Sequence, residues 1–149
     1  MEQTQIDHFG DALYLAMRER RMLAPLTETH PELTIEDAYA ISLRFLANRM
    51  QAGEKLIGKK IGVTSNAAMN MLGVRQPDFG FMTDAMRYDE EMAISSALMQ
   101  PRAEGEIAFL LSKDLQGPGV TNDDVLAATD AVMPCFEVVD SRVKDWQIK

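Results

Sequence analysis

Lys55-Leu56-Ile57-Gly58-Lys59-Lys60-Ile61-Gly62-Val63 is the stretch at which the character of the sequence changes. Apolar Leu56, Ile57, Ile61 and Val63, separated by glycines and lysines, predict a strand. Thr64 or Ser65 can cap a short helix over Ala67 to Leu72, with Gly73 as its stop. Upstream the pattern is helical. Ile6, Phe9, Leu13, Ala16 and Met17 recur at helical spacing, and the charged run Arg18 to Arg21 suits a helix end near Met22. Pro25 and His30-Pro31 mark a loop. Thr34 with Asp37 then resembles a capping box before an apolar stripe of Ala38, Ile41, Phe45 and Leu46, which Gly53 ends.

Downstream, Gln76 to Tyr88 lacks a period and reads as loop or irregular strand. Glu104 to Leu111 alternates as a strand does. Gly117-Pro118-Gly119 makes a turn into a helix opened by Thr121 and Asp124 and carrying Leu126, Ala127 and Asp130. Val132 to Val139 is an apolar, β-branched run that predicts a buried final strand, and Trp146 and Ile148 look made for burial. The fold class is therefore α+β, with a helical amino-terminal region over 1–54 and a β-rich part over 55–149.

The chain has 149 residues, enough for one core, and its net charge of −8 disfavours nucleic acid and anionic lipid as partners. An anionic substrate would need local cations to reverse that sign. The single cysteine, Cys135, excludes an internal disulfide, and no apolar run is long enough to span a bilayer. A cytoplasmic protein without a signal peptide is expected.

Three groups of residues can carry chemistry. Glu104 and Glu106, two apart on a strand, share one face; they either face solvent at an edge or hold a hard divalent cation such as Mg²⁺ or Mn²⁺ between them. Glu137 lies inside an apolar run, where a charge is costly unless it is paired with a base such as Arg142 or bound to the same cation. Lys59 and Lys60 point to opposite faces of their strand, so one can be solvated while the other turns inward as a cation for a carboxylate or enolate. Asp78, in Gln76-Pro77-Asp78-Phe79-Gly80, reads first as a turn former in a loop. His8 and His30 lack a third ligand at zinc spacing, and Cys135 has no histidine in its segment.

Taken in order, Gly58-Lys59-Lys60-Ile61-Gly62-Val63-Thr64-Ser65, Gln76-Pro77-Asp78-Phe79-Gly80, Ala103-Glu104-Gly105-Glu106-Ile107-Ala108-Phe109 and Met133-Pro134-Cys135-Phe136-Glu137-Val138-Val139-Asp140-Ser141-Arg142 resemble the 2-oxopent-4-enoate (2-hydroxypenta-2,4-dienoate) hydratases of the fumarylacetoacetate hydrolase superfamily, relatives of the 4-oxalocrotonate decarboxylases. The resemblance implies a mixed, coiled β-sheet barrel following amino-terminal helices. It places Glu104, Glu106 and Glu137 on the family's metal-ligand positions for Mg²⁺ or Mn²⁺. Lys60 falls on its interior active-site lysine, and Asp78 on an aspartate that hydratases carry where decarboxylases have an apolar residue. The implied reaction is hydration of 2-hydroxypenta-2,4-dienoate to 4-hydroxy-2-oxopentanoate in meta-cleavage breakdown of aromatic compounds.

The family chain is longer, so the resemblance also implies that a D-N-A-S-type active-site segment and several barrel strands are missing after Lys149. A small 2-oxo or 2-hydroxy-dienoate substrate, a homo-oligomer and a complex with a related decarboxylase are the expected partners. Two other readings stay open: a decarboxylase of the 4-oxalocrotonate type, and a non-catalytic truncated subunit docked on a full-length relative.

Overall fold

The structure, a computed structural model, describes residues 1–89, 93–94 and 96–148. Lys149, the last residue of the tail read above, lies outside them. The chain forms two compact units, Met1–Met99 with Ser141–Lys149, and Gln100–Asp140.

The first unit is built on two long helices, α1 (Gln3–Glu19) and α3 (Ile35–Gln51), joined through a short α2 (Leu26–Thr29). The apolar stripes meet as expected. Ile6, Phe9 and Ile41 form the buried cluster, with Leu13, Leu26, Leu33 and Ala40 packed against it. Burying each of the three is worth about 1.5–3 kcal/mol. The helices cross closely at Gly10, where a Cβ would collide with the Arg44 side chain and lie 3.1 Å from the Ile41 carbonyl oxygen. Beside that crossing Arg44 grips Asp11 in a two-point pair, Nε to Oδ1 at 2.7 Å and Nη2 to Oδ2 at 3.1 Å, and Asn48 Nδ2 also donates to Asp11 Oδ1 at 2.7 Å.

The capping box at α3 forms as expected: the Asp37 amide donates to Thr34 Oγ1 at 3.2 Å, and the Thr34 amide to Asp37 Oδ2 at 3.1 Å. Helix α1 stops at Glu19, short of Met22, because Arg20 adopts a left-handed conformation with φ 54°. The segment expected to be plain loop contains α2, whose Phe9-facing neighbour His30 stacks edge-on to that ring with centroids 4.9 Å apart.

After α3 the chain enters an antiparallel hairpin of β1 (Leu56–Gly62) and β2 (Asp78–Thr83), with α4 (Asn66–Leu72) between them. Ser65 caps α4 by accepting from the Ala68 amide, and Gly73 ends it in a left-handed conformation. Of the two expectations for Gln76 to Tyr88, loop or irregular strand, the strand is found: β2 pairs with β1 across a register shift at Leu56/Gly58 and is followed by a 3-10 turn (Asp84–Met86). The tail returns to this unit through a parallel bridge of Leu23 with Val143, and the Arg142 guanidinium lies 4.8 Å from the centre of the Phe45 ring. Ile148, expected to be buried, is half exposed, while Trp146 is partly covered.

The second unit is a long antiparallel hairpin, β3 (Arg102–Leu111) with β4 (Thr129–Val139), bridged by α5 (Asn122–Ala128). A Thr121–Asp124 capping box opens α5. Asp130, expected on that helix, lies on β4, because the ladder already pairs Leu111 with Thr129 across a bulge. The run Val132 to Val139 is a strand, but its side chains are not enclosed: Phe136 is 81 % and Val132 56 % exposed, and on β3 Phe109, opposite Val132, is 57 % and Ile107, opposite Pro134, 64 % exposed. Among the described residues no helix is long and apolar enough to cross a membrane.

Candidate metal centre

Alternation along β3 puts Glu104 and Glu106 on one face, as expected from their spacing. The ladder supplies the third carboxylate. Glu104 is the register partner of Glu137, and Glu106 that of Cys135, so all three glutamates rise from the same face of one hairpin. Directly opposed residues in an antiparallel pair have Cβ atoms about 4.5–5.5 Å apart. The three side chains each bring one oxygen within 4.8 Å of the others, the one such trio of His, Cys, Asp or Glu among the described residues. Glu104 and Glu106 are exposed and Glu137 is half-buried.

The donor set and its size suit a hard divalent ion. Oxygens on opposite sides of Mg²⁺ at ~2.1 Å lie about 4.2 Å apart, and of Ca²⁺ at ~2.4 Å about 4.8 Å apart, so the trio spans a sphere of that size without closing completely around it. Three carboxylates leave further positions for water and a chelating ligand.

The other two expected residues come together in the first unit. Lys60 is half-buried and Lys59 exposed, so the two do take opposite faces of β1. Asp78 is the first residue of β2 rather than part of a loop. The register pairs Gly62 with Asp78 and Lys60 with Gly80, which sets the charged side chains diagonally on one face, each over a glycine. A Cβ on Gly62 would collide with Asp78 Oδ1 and lie 3.0 Å from Lys60 Nζ, and a Cβ on Gly80 would lie 2.9 Å from Lys60 Cγ. The Lys60 methylenes therefore fill the space over Gly80, and the Asp78 carboxylate and Lys60 ammonium the space over Gly62. Just beyond, Val63 sits at φ 56°, a left-handed conformation that costs a β-branched residue roughly 1–3 kcal/mol, where the chain turns from β1 toward α4.

Gly62 and Gly80 were not singled out from sequence, although glycine two residues from each charged residue was a visible signal. The histidines are structural: His8 and His30 both contact the Phe9 ring. Cys135 is half-buried on β4 beside the glutamates.

No family model matches the chain. Single proteins do. A 2-hydroxypent-2,4-dienoate hydratase of Pseudomonas putida is 64 % identical over 100 % of this chain and 68 % of its own length. The chain belongs to the 2-hydroxypent-2,4-dienoate hydratase family. A 2-hydroxyhexa-2,4-dienoate hydratase of Comamonas testosteroni is 62 % identical over 97 % of the chain, and here the chain spans 56 % of the family member. Among solved structures, a 4-oxalocrotonate decarboxylase from Pseudomonas putida G7 complexed with magnesium and adipate matches 99 % of the chain at 30 % identity and a TM-score of 0.88. The same decarboxylase complexed with calcium and acetate matches 97 % at 33 % identity and a TM-score of 0.90; in both cases 56 % of the longer chain is covered.

Proposed function

We propose that the chain is the amino-terminal part of a metal-dependent hydratase that adds water to 2-hydroxypenta-2,4-dienoate, giving 4-hydroxy-2-oxopentanoate in the meta-cleavage degradation of aromatic compounds. The observation that carries this reading is the trio Glu104, Glu106 and Glu137 on one hairpin face, with oxygens inside 4.8 Å, in a chain of the hydratase family. These three would hold Mg²⁺ or Mn²⁺. When bound, the ion supplies a Lewis acid for the substrate's carboxylate and 2-oxygen and offsets the growing enolate charge.

The protein's own residues do the rest. Lys60 adds positive charge where the substrate's oxygens gather negative charge. Asp78 moves the proton: the dienol is protonated at C5 while its 2-hydroxyl proton is lost, which leaves a 2-oxo-3-enoate; water then adds its oxygen at C4 and a proton at C3. The hairpin geometry supports the pairing of these roles, since Lys60 and Asp78 lie diagonally on one face of it and both reach the open space beside Gly62.

We further infer that residues 1–54 act as a helical region and 55–149 as the first part of a β-rich catalytic domain of the coiled-barrel type. The exposed apolar side chains on both faces of β3 and β4 support this, because such faces are buried in a finished barrel. A cytoplasmic homo-oligomer, with a related decarboxylase as partner, completes the reading.

Decarboxylation of a 4-oxalocrotonate is the second reading, favoured by the solved structures that match; Asp78 favours hydration. The test is an assay of both substrates with Mg²⁺ and with Mn²⁺, using the chain alone and the chain joined to the carboxyl-terminal part of the Pseudomonas putida relative. Loss of the dienoate with formation of 4-hydroxy-2-oxopentanoate in either form supports hydration. Carbon dioxide release without it, or no turnover in either form, contradicts it.

A further inference from the structure

We infer that Tyr39, on α3, is a positioning residue that sets the bearing of Asp78; the inference rests on the reading of Asp78 as the proton-transfer group. The Phe79 amide, the first after Asp78, donates to Tyr39 Oη at 3.1 Å. The direction of that amide fixes the peptide plane that leaves Asp78, and hence how the side chain leaves the strand. Asp78 is exposed and opens β2, a position where a strand end frays unless it is tied down.

The far end of the same strand is tied to the same helix. Arg49 Nη2 donates to Thr83 Oγ1 at 3.0 Å, Arg49 Nε pairs with Glu54 Oε2 at 2.7 Å, and the Thr83 hydroxyl donates to that same Glu54 oxygen. The two attachments match in length. From Tyr39 to Arg49 the helix rises ~15 Å, and from Phe79 to Thr83 the strand covers ~13 Å. Helix α3 thus holds β2 at two points, at Thr83 by a buried charged network and at Phe79 by one hydroxyl.

The two clamps differ in consequence. Thr83 is fully buried, so its network holds the hairpin to the helices. The Tyr39 hydroxyl reaches only the end that carries Asp78, where the glycine at 62 leaves the carboxylate room opposite. With the Thr83 clamp intact, removing the hydroxyl frees that end and leaves the fold in place, and the tilted packing of the Tyr39 and Phe79 rings, 6.5 Å apart, does not need it.

The test is Tyr39→Phe, alone and with Asp78→Asn. In the 149-residue chain the Phe79 amide should exchange with solvent about tenfold faster, the ratio one ordinary hydrogen bond is worth, with the melting temperature little changed. In whichever assay form hydrates the dienoate, kcat should fall about tenfold with KM held within about twofold, less than the roughly hundredfold that a 1 Å misplacement can cost. The double variant should be no slower than Asp78→Asn. An unchanged Phe79 exchange rate, an unchanged kcat, or losses that multiply in the double variant would overturn the role of Tyr39. Full turnover in Asp78→Asn alone would instead overturn the assignment of Asp78, whatever Tyr39→Phe does.

Discussion

Glu104 stands directly across the β3–β4 ladder from Glu137, two carboxylates in register on one face of a hairpin. Like charges directly opposite each other repel across a strand pair, and a divalent cation held between them offsets that repulsion. In buffer freed of divalent ions by a chelator, Glu104→Gln should therefore raise the melting temperature slightly. In millimolar Mg²⁺ the order should reverse, because the parent gains binding energy that the variant has lost. Thermal melts of both proteins in the two buffers check this, and a parent that melts at the same temperature in both buffers would count against the site.

The glycine opposite Asp78 is a second sensitive point. Gly62→Ala puts a Cβ into Asp78 Oδ1 and near Lys60 Nζ, the ends of two side chains that must turn aside, and the forced rearrangement should cost about 1 kcal/mol. Gly58→Ala, on the same strand, meets only the flexible end of Met82 at 3.0 Å and should cost less. Urea unfolding of the two variants measures the difference; equal costs would mean that the Asp78 and Lys60 side chains do not occupy the space above Gly62.

The helical core responds to truncation in the usual way. Ile41 is 3 % exposed and packs on Ile6 and Phe9, so Ile41→Ala should destabilise the chain by about 2–5 kcal/mol, while Leu43→Ala, half exposed on the same helix, should cost under about 1 kcal/mol. Chemical denaturation with an unchanged slope provides the comparison.

Acid sensitivity follows from Asp11. Its hydrogen bonds from the Arg44 guanidinium, then from Asn48, hold its carboxyl below the usual carboxylate range. Because the folded value is depressed, this contribution is present above the unfolded value of ~3.9 and is lost as pH falls through the folded one. The Thr121 hydroxyl and amide act on Asp124 in the same direction. Melting temperature should hold from pH 7 to about 5 and fall below about 4. Asp11→Asn should melt lower at pH 7 and lose less on acidification; a parallel pH profile for the variant would exclude Asp11 as a source of the acid sensitivity.

Much of this architecture was legible where a residue acts on near neighbours. Thr34 with Asp37, Thr121 with Asp124 and Ser65 each announce a helix start because a short side chain reaches an amide three residues on. The shared face of Glu104 and Glu106 follows from strand geometry alone. Strand β2 was legible only as one of two alternatives, loop or irregular strand, since Asp78 and Gly80 are poor strand formers; the segment is extended because β1, Tyr39 and Arg49 hold it so. Asp130 was misplaced for a related reason, as the ladder overrides a helical pattern that local sequence cannot end. The register joining Glu104 to Glu137 spans 33 residues; the cost of a charge in an apolar run offers a shared cation or an Arg142 pair, and the resemblance to a known family favours the cation.

Binding of one divalent cation by Glu104, Glu106 and Glu137 is read out by calorimetric titration of the chelator-treated chain with Mn²⁺. One site is expected, with affinity reduced at least tenfold in Glu104→Gln and in Glu137→Gln but unchanged in Glu28→Gln, a surface control on α2. No saturable heat, or the same weak heat in all four proteins, would contradict it.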